Sequence, residues 1–403
     1  MNIGMISIYP PPQTKHAKLG GVGSYTKNLV EAIKGNTTKI FIFSNKNSDT
    51  PLTSQDDNIV VNYCWDMGSI KYPIQIIRNI FFNKREHIDL FHIQYEVFLY
   101  GGALSIVTFP LLLMFLKLCR IPILVTIHQV VPITKLDEKF LAMLGVSGST
   151  GLLKLGLLVL LKFIVFLSDG VIVHESLFKK VLIDDYKCNQ SSKIHVVHHG
   201  VEEHVISIDK NKAKAFLNIQ KKNVILFFGY ISRYKGLEVL IDSFKYLDAD
   251  DYVLIIAGGA HPRLKKDIAY EDYNTSLKKR ASESQREIIF TGFVPEDKIS
   301  YYFSSADIVI FPYTVIMSSS GPMALAIAYE IPFLASESFK EVLDKELIFE
   351  IDPEELAKKI SSFFHLSSRS IDVKSYVKEL KNLRLWRWTG EKHIKIYKHL
   401  LTK

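Results

Sequence analysis

The chain has 403 residues, a net charge of +8 and a hydrophobic content of 48%, so it can fill the cores of two or more domains and is not disordered. The positive charge suits an anionic substrate or an anionic membrane surface. Nucleic acid is disfavoured as a partner, because the sequence contains no arginine-rich tract and no recognition-helix signature. Three widely spaced cysteines, Cys64, Cys119 and Cys188, indicate reduced cytosolic thiols and neither a disulfide framework nor a zinc site. The amino terminus is predicted to be a buried strand rather than a signal peptide.

Short apolar runs alternate with helical patterns along almost the whole chain. Most of these runs are continuous Val, Ile, Leu and Phe, which is typical of strands buried on both faces. The predicted strands of the first half are 2–8, 39–44, 89–94, 122–128, 170–174 and 193–198. Those of the second half are 223–229, 252–258, 287–292, 307–312, 332–336 and 347–351. Strand and helix in steady succession predict an α/β protein with two Rossmann-like, doubly wound parallel-sheet domains that face a cleft.

A polar segment at 200–222 separates the two strand series and predicts the domain boundary. We expect an N-terminal domain at 1–205 and a C-terminal domain at 206–385. The final helix, residues 386–403, carries apolar positions that would let it pack back onto the first domain.

Two segments, 103–118 and 152–167, are too apolar for soluble loops, yet neither offers about 20 uninterrupted apolar residues for a spanning helix. One interpretation makes them buried helices of the first domain. The other makes them a monotopic membrane surface, with four lysines facing anionic headgroups. These lysines are Lys117, Lys139, Lys154 and Lys162.

The first strand leads into a turn that contains Gly20 and Gly21 and then into a helix. Paired glycines allow backbone amides to approach an anion or a sugar hydroxyl, but they equally serve a turn that needs positive φ. The spacing is not that of the dinucleotide-binding fingerprint.

His128 ends an apolar strand and is therefore expected at the carboxyl rim of the first sheet. Its imidazole could donate to a sugar hydroxyl or shelter charge at an anomeric carbon, or it could be a structural histidine that caps a helix or joins strands. Four more histidines lie at strand ends and are too dispersed for all to be ligands. They are His92, His174, His198 and His199.

The most informative segment follows the strand that ends at Gly229. A short loop presents Arg233 and Lys235 immediately before an amphipathic helix. Two cations beside a helix amino terminus predict a phosphate or diphosphate site, although a solvated basic loop would have the same sequence.

These motifs together resemble the family 4 retaining glycosyltransferases of the GT-B fold. The resemblance covers essentially the whole chain in the right order. It is carried by residues 20–23, 89–94, 125–128, 196–201, 233–236, 257–259, 291–294 and 306–312, and by the Trp-rich final helix.

The resemblance implies roles for particular residues. Arg233 and Lys235 would bind the donor diphosphate, and Gly20 and Gly21 would lie near the diphosphate and the acceptor. His128 would contact the transferred sugar. Further donor-binding positions are the strand-end Gly229 and the nucleobase-binding Gly292, Phe293 and Val294. The family needs no metal, and no cofactor is expected beyond the nucleotide-sugar substrate.

The sequence departs from the family at its two usual glutamates, which would fall at about Met317 and Leu325. Neither position is acidic. The hydroxyls and amides of Ser319, Ser320 and Gly321 could bind phosphate or sugar hydroxyls instead, and Leu325 would face the ribose.

The resemblance implies a transferase that moves a hexose-type sugar, with retention, from a nucleotide-diphosphate donor to a glycan or lipid-linked acceptor. Such an enzyme would serve polysaccharide or cell-envelope synthesis from the cytoplasm, free or peripheral on the inner face of the membrane. Three alternatives stay open, namely a non-catalytic partner subunit of the same fold, a sugar-nucleotide epimerase and a sugar-phosphate synthase.

Overall fold

The computed structural model describes residues 1–11, 20–46, 53–82, 87–97, 99–101, 103–138, 149–247, 251–260 and 268–402. The chain forms two α/β halves, each built on its own sheet, as predicted. Every predicted strand is present, within a few residues of its expected bounds. The continuous apolar runs are buried on both faces because helices cover both sides of each sheet.

The first sheet has eight strands in the order β3-β4-β2-β1-β5-β6-β7-β8. Their bounds are β1 Asn2–Ile6, β2 Lys39–Asn45, β3 Thr53–Asp56, β4 Ile59–Trp65, β5 Leu90–Tyr95, β6 Ile123–Ile127, β7 Gly170–Val173 and β8 Ile194–Val196. All neighbours are parallel except β3 and β4, an antiparallel pair at the edge that makes this sheet mixed. The sequence patterns missed this pair because β3 is short and largely exposed, and β4 is interrupted by the polar Asn62.

The helices of the first half are α1 Gly20–Ile33, α2 Tyr72–Phe82, α3 Ala103–Leu118, α4 Thr150–Leu167 and α5 Ser176–Asp184. The two very apolar segments are therefore α3 and α4. By length and composition alone α4 could cross a membrane, and 28% of it is buried in the protein. Each of the two helices buries one side in the core and leaves large apolar side chains exposed on the other, so burial in the core accounts for one side of each helix.

The second sheet is fully parallel, in the order β11-β10-β9-β12-β13-β14. Its strands are β9 Asn223–Phe228, β10 Tyr252–Ala257, β11 Ile288–Phe290, β12 Ile308–Phe311, β13 Phe333–Ser336 and β14 Ile348–Phe349. Its helices are α6 Lys210–Phe216, α7 Leu237–Ser243, α8 Ile268–Glu283, α9 Ile299–Ser305, α10 Gly321–Ala328, α11 Pro353–His365 and α12 Ser367–Arg384. Strand order reverses at β9, and in open α/β sheets ligands bind beyond the carboxyl ends of strands at such a point.

The last helix, α13 Trp386–Leu401, packs against α1 of the first half. Ile394, Tyr397 and Leu400 share a buried cluster with residues of β1 and α1. The segment that leads into α13 returns to the first half beside Val201, whose amide donates to the carbonyl of Arg384 at 2.8 Å.

Candidate active site

The loop after β9 brings three elements together at the point where strand order reverses. Gly229 has φ +122°, and a Cβ placed on it would lie 2.8 Å from Nζ of Lys235 and 2.9 Å from Cγ of Pro322 in the first turn of α10. A side chain at this position would displace both neighbours. The missing side chain of Gly229 therefore allows the lysine and the start of α10 to meet at the strand end.

The turn Arg233–Lys235 is a single 3₁₀ turn fixed to the segment that follows β12. Gly236 ends it with φ +62° and ψ +33°, and a Cβ there would lie 2.0 Å from the carbonyl oxygen of Pro312. The amide of Thr314 donates to the carbonyl of Tyr234 at 2.7 Å. Glycine is needed at 236 for both its positive φ and this close approach, so the position of the lysine is set by the backbone.

Lys235 is a buried cation without an anion. Only 5% of the residue is exposed, and Nζ lies 5.8 Å from the ring centroid of Phe227 and 5.5 Å from that of Tyr313. Among the residues that the structure describes, no carboxylate lies within ion-pair distance of this ammonium group. Burial lowers the pKa of Lys235 from 10.5 to about 7. A charge held in this way is stabilised when an anion arrives.

Arg233 occupies different surroundings from Lys235. Its side chain is exposed, and its guanidinium lies 4.5 Å from the ring centroid of Tyr273 on α8. The hydroxyl of Tyr273 donates in turn to Glu238 at 2.9 Å. The two predicted cations thus share one turn, but Lys235 is enclosed while Arg233 stacks on a tyrosine at the surface.

The start of α10 supplies polar groups next to Lys235. The hydroxyl of Ser320 caps the helix by accepting from the amide of Met323 at 3.2 Å, and it lies 3.1 Å from the hydroxyl of Tyr313. Ser319 Oγ is buried and has no hydrogen-bond partner. Because buried polar atoms are almost always paired, this hydroxyl is available to a ligand or a water molecule. A Cβ on Gly321 would meet nothing within 4 Å, so the site is open at this point.

The residues predicted to hold the nucleobase lie beside the same site. Gly292 has φ +71°, Phe293 is 52% exposed and Val294 is buried. A Cβ on Gly259 would come within 2.9 Å of the amide nitrogen of Phe293, while the carbonyl of Gly259 accepts from the amide of Ile231 at 3.0 Å. The loops after β9, β10 and β11 therefore line one continuous edge.

Gly20 and Gly21 are the first two residues of α1. Gly21 is exposed, does not have positive φ, and would meet nothing within 4 Å if it carried a Cβ. A strained turn therefore does not explain this glycine, and its amide lies in the first turn of the helix.

His128 is buried at the end of β6, with 7% of the residue exposed. Its Nε2 lies 2.8 Å from Oε1 of Gln94, and its Nδ1 lies 3.2 Å from Nε2 of His174. Both ring nitrogens thus have partners inside the protein in this conformation. Burial, with the neighbouring histidines, holds the pKa of His128 well below its ordinary value, so the ring is neutral at pH 7.

The strand-end histidines are not dispersed, which corrects the expectation from sequence. The ring centroid of His174 lies 5.0 Å from that of His128 and 5.9 Å from that of His199, and the ring centroid of His92 lies 5.5 Å from that of His393 on α13. His128, His174 and His199 meet because β6, β7 and β8 are neighbours in the sheet and end at the same edge. His92 was predicted at a strand end but lies in the middle of β5, where the last helix brings His393 against it. Within the described ranges, no group of three His, Cys, Asp or Glu residues could hold a metal ion.

The segment after β6 joins the two halves. The amide of Val130 donates to the carbonyl of Met317 at 2.8 Å, and Nε2 of Gln129 lies 2.9 Å from the sulfur of the same methionine. Met317 is 4% exposed, and Leu325 is partly buried on α10. The two positions where glutamates were expected therefore hold apolar side chains, one of them at the contact between the halves.

A second contact between the halves was not predicted from sequence. Glu175, next to His174, is buried and accepts from Nη1 of Arg384 at 2.8 Å, while His198 Nδ1 lies 3.2 Å from its other oxygen. Burial raises the pKa of Glu175, but the hydrogen bond with His198 and the charge of Arg384 outweigh it and hold the pKa below its ordinary value. Glu175 and Arg384 line a small cavity of about 20 Å³ with Ser319 and Ser320, enough for about one water molecule.

Comparison with known proteins gives a match for each half. Residues 19–205 match the family described as Glycosyltransferase Family 4, and residues 209–380 match Glycosyl transferases group 1. YtcC of Bacillus subtilis (strain 168) is 38% identical to this chain over 94 residues. Its name assigns it provisionally to the glycosyltransferases. That alignment covers 23% of this chain and 22% of the length of YtcC.

Solved structures match the whole chain. Sucrose-phosphate synthase from Thermosynechococcus elongatus is 17% identical, with a TM-score of 0.76 over 100% of this chain and 99% of its own. HepE of Anabaena, in complex with UDP and glucose, is 14% identical, with a TM-score of 0.71 over 99% of this chain and 100% of its own. At these identities the structures show the shared fold. Together with the two family matches, they show that this chain has the GT-B glycosyltransferase fold.

Proposed function

We propose that this chain transfers a hexose-type sugar from a nucleotide-diphosphate donor to a glycan or lipid-linked acceptor, with retention of anomeric configuration and without a metal ion. The C-terminal domain, residues 206–385, would hold the donor, and the N-terminal domain, residues 1–205, the acceptor. The observation that carries the proposal is the buried Lys235, which has no described anionic partner and lies beside Gly229 and the start of α10.

The chemistry needs positive charge where the leaving group forms. As the bond between the anomeric carbon and the phosphate oxygen breaks, negative charge grows on the departing diphosphate. Lys235 and the backbone amides at the start of α10 are preorganised to hold this charge, and such electrostatic stabilisation is usually the largest catalytic contribution. A bound diphosphate would raise the pKa of Lys235 and keep it protonated. These groups take the place that a metal ion has in other transferases.

The rest of the donor would lie along the continuous edge described above. The exposed Phe293 and the open backbone of Gly292 suit a nucleobase, and the unpartnered hydroxyl of Ser319 suits a phosphate or sugar hydroxyl. HepE structures contain UDP and UDP-glucose, which makes a uridine donor the first to test. His128 would act on the transferred sugar after exchanging one of its present partners.

One observation favours a second candidate, a non-catalytic partner subunit. From Pro312 through Ala328, the segment that would carry the two family glutamates, there is no acidic residue. A chain that had lost donor chemistry and kept the fold would show the same feature.

Incubation of the purified protein with a panel of nucleotide sugars separates these functions. Release of free nucleotide only when an acceptor is present supports transfer, and NMR of the anomeric proton of the product tests retention. Full activity after treatment with a chelator is expected. An isomerised donor would instead indicate an epimerase, and neither turnover nor donor binding would indicate the partner subunit.

A further inference from the structure

Three neighbouring helices of the first half expose a large apolar surface. The helices α2, α3 and α4 pack side by side on one face of the first sheet, with Phe81 and Phe115 in ring contact at 5.4 Å. They carry eleven of the twenty-one exposed large hydrophobic side chains that the structure describes. Those eleven are Ile74, Phe81, Val107, Leu111, Met114, Leu118, Leu152, Leu155, Val159, Phe163 and Phe166. Exposed apolar side chains that cluster on adjoining helices are typical of surfaces that contact a protein partner or a membrane.

The surface formed by α2, α3 and α4, called here the α2–α4 face, suits partial insertion into a membrane and not a membrane-spanning arrangement. In α4 the side chains of Leu157, Leu160 and Ile164 are buried in the protein core, while Leu155, Val159 and Phe166 are exposed on the opposite side. A helix that is held to the protein along one side can only enter a membrane along the other. Its axis then lies in the plane of the interface.

The charges on this face have a single sign. The sequences of α2, α3 and α4 contain Arg78, Lys117, Lys154 and Lys162 and no Asp or Glu. Lys117 pairs with Asp169 at 2.6 Å, whereas Lys154 and Lys162 form no ion pair with any residue that the structure describes. Lys139, also predicted to face lipid, lies outside the described residues. Lys154 and Lys162, beside the apolar side of the same helix, complement anionic lipid headgroups.

We propose that the α2–α4 face inserts into the headgroup region of an anionic phospholipid bilayer and holds the enzyme there as a monotopic protein. A second copy of the chain fits less well, because a two-fold contact would place the same cations against one another. Helices that follow parallel strands begin at the carboxyl edge of the sheet, so α3 starts at the edge where His128 lies. The cleft would therefore open near the membrane surface. Membrane insertion would bring the cleft close to a lipid-linked acceptor, and this part of the inference rests on the proposed function.

The test is flotation of the full chain with vesicles of phosphatidylcholine, alone or with about one third phosphatidylglycerol. We expect the protein to float with the mixed vesicles at low salt and less with phosphatidylcholine alone. The variant Leu111→Asp/Phe163→Asp should lower the bound fraction by on the order of tenfold or more, because charge is costly in the apolar layer. Both side chains are exposed, at 58% and 43%, so the fold should be kept.

Two further variants separate charge from general surface effects. Lys154→Gln/Lys162→Gln should weaken binding to the phosphatidylglycerol vesicles roughly tenfold and leave binding to phosphatidylcholine unchanged. Ile206→Asp is the matched control, because Ile206 is 78% exposed but lies outside the three helices, and it should float like the parent.

The inference is overturned if the parent protein stays at the bottom with anionic vesicles at low salt, or if Leu111→Asp/Phe163→Asp floats equally well. It is also overturned if light scattering shows a dimer that the same variant dissociates. Flotation does not require catalysis, so the proposals of membrane binding and of transferase activity are tested independently.

Discussion

Replacing Lys235 with methionine should stabilise the free protein and abolish donor binding. Methionine is similar in length and apolar, so it suits a site enclosed by the rings of Phe227 and Tyr313. Burial lowers the pKa of the lysine from 10.5 to about 7, and each unit corresponds to 1.36 kcal/mol. Holding the charged lysine in the folded state therefore costs about 5 kcal/mol at most, and a gain of about 2 to 5 kcal/mol is expected on substitution.

The sign of this effect depends on pH. Below pH 7 the lysine is charged in both the folded and the unfolded chain, and the full cost is present. Between about pH 7 and 10.5 the folded protein releases the proton first, and the cost disappears. The advantage of Lys235→Met over the parent should accordingly be largest at pH 6 and small near pH 10.

Chemical denaturation of both proteins across this pH range measures the difference in the free energy of unfolding, and a thermal-shift assay with UDP measures ligand binding. Lys340→Met is the matched control, since Lys340 is exposed, and it should change neither quantity. UDP should raise the melting temperature of the parent and of the control but not of Lys235→Met. If Lys235→Met is neutral or destabilising at pH 6 and still responds to UDP, Lys235 is not an uncompensated diphosphate ligand.

Three other perturbations test the surroundings of the site. Gly236→Ala should cost about 2 kcal/mol or more of stability in thermal or chemical unfolding, because of its positive φ and the Pro312 carbonyl, whereas Gly35→Ala, which meets nothing within 4 Å, should change little. Arg384→Met alone should cost about 3 kcal/mol by leaving the buried Glu175 without its arginine partner and with only His198 beside it, and adding Glu175→Gln should recover part of that loss; an additive double mutant would contradict the pairing. Burial lowers the pKa of His174 to about 3 and those of His199 and His393 to about 4, from 6.5, so the unfolded chain binds these protons first as pH falls. The free energy of unfolding, measured by chemical denaturation, should then drop between pH 6.5 and 4, by up to about 4 kcal/mol per pH unit, and a value that stays constant down to pH 4 would disprove this.

The sequence predicts the strands and the two-sheet architecture because their continuous apolar runs depend on local composition and burial. It also predicts the turn Arg233–Lys235 and the strand-end glycines, because the positions of such turns depend on the backbone conformations that neighbouring residues allow. What it misses depends on distant contacts. The histidines looked scattered because neither strand order nor the return of His393 on α13 can be read from spacing.

The same reason explains why the sequence did not predict the ion pair of Glu175 and Arg384. Glu175 and Arg384 are separated by most of the second half, and neither lies in a recognisable motif. Likewise, the different surroundings of Arg233 and Lys235 follow from the position of Tyr273 on α8 and not from the turn itself. A sequence pattern can place a residue at a strand end, but the packing of other elements decides which way its side chain points.

In the part of the chain that the structure describes, Lys235 forms no ion pair with a carboxylate, and this bears directly on how the site would work. A carboxylate on α10, which begins beside Gly229, would be a candidate to neutralise the lysine before any ligand arrived. The segment from Pro312 through Ala328 carries none, so the cost of the buried charge persists in the free protein. An arriving diphosphate would relieve that cost, and part of the affinity for the donor would come from this relief rather than from new contacts alone. Apolar residues at Met317 and Leu325 are therefore compatible with the proposed donor binding, because they leave the charge of Lys235 unneutralised until a ligand arrives.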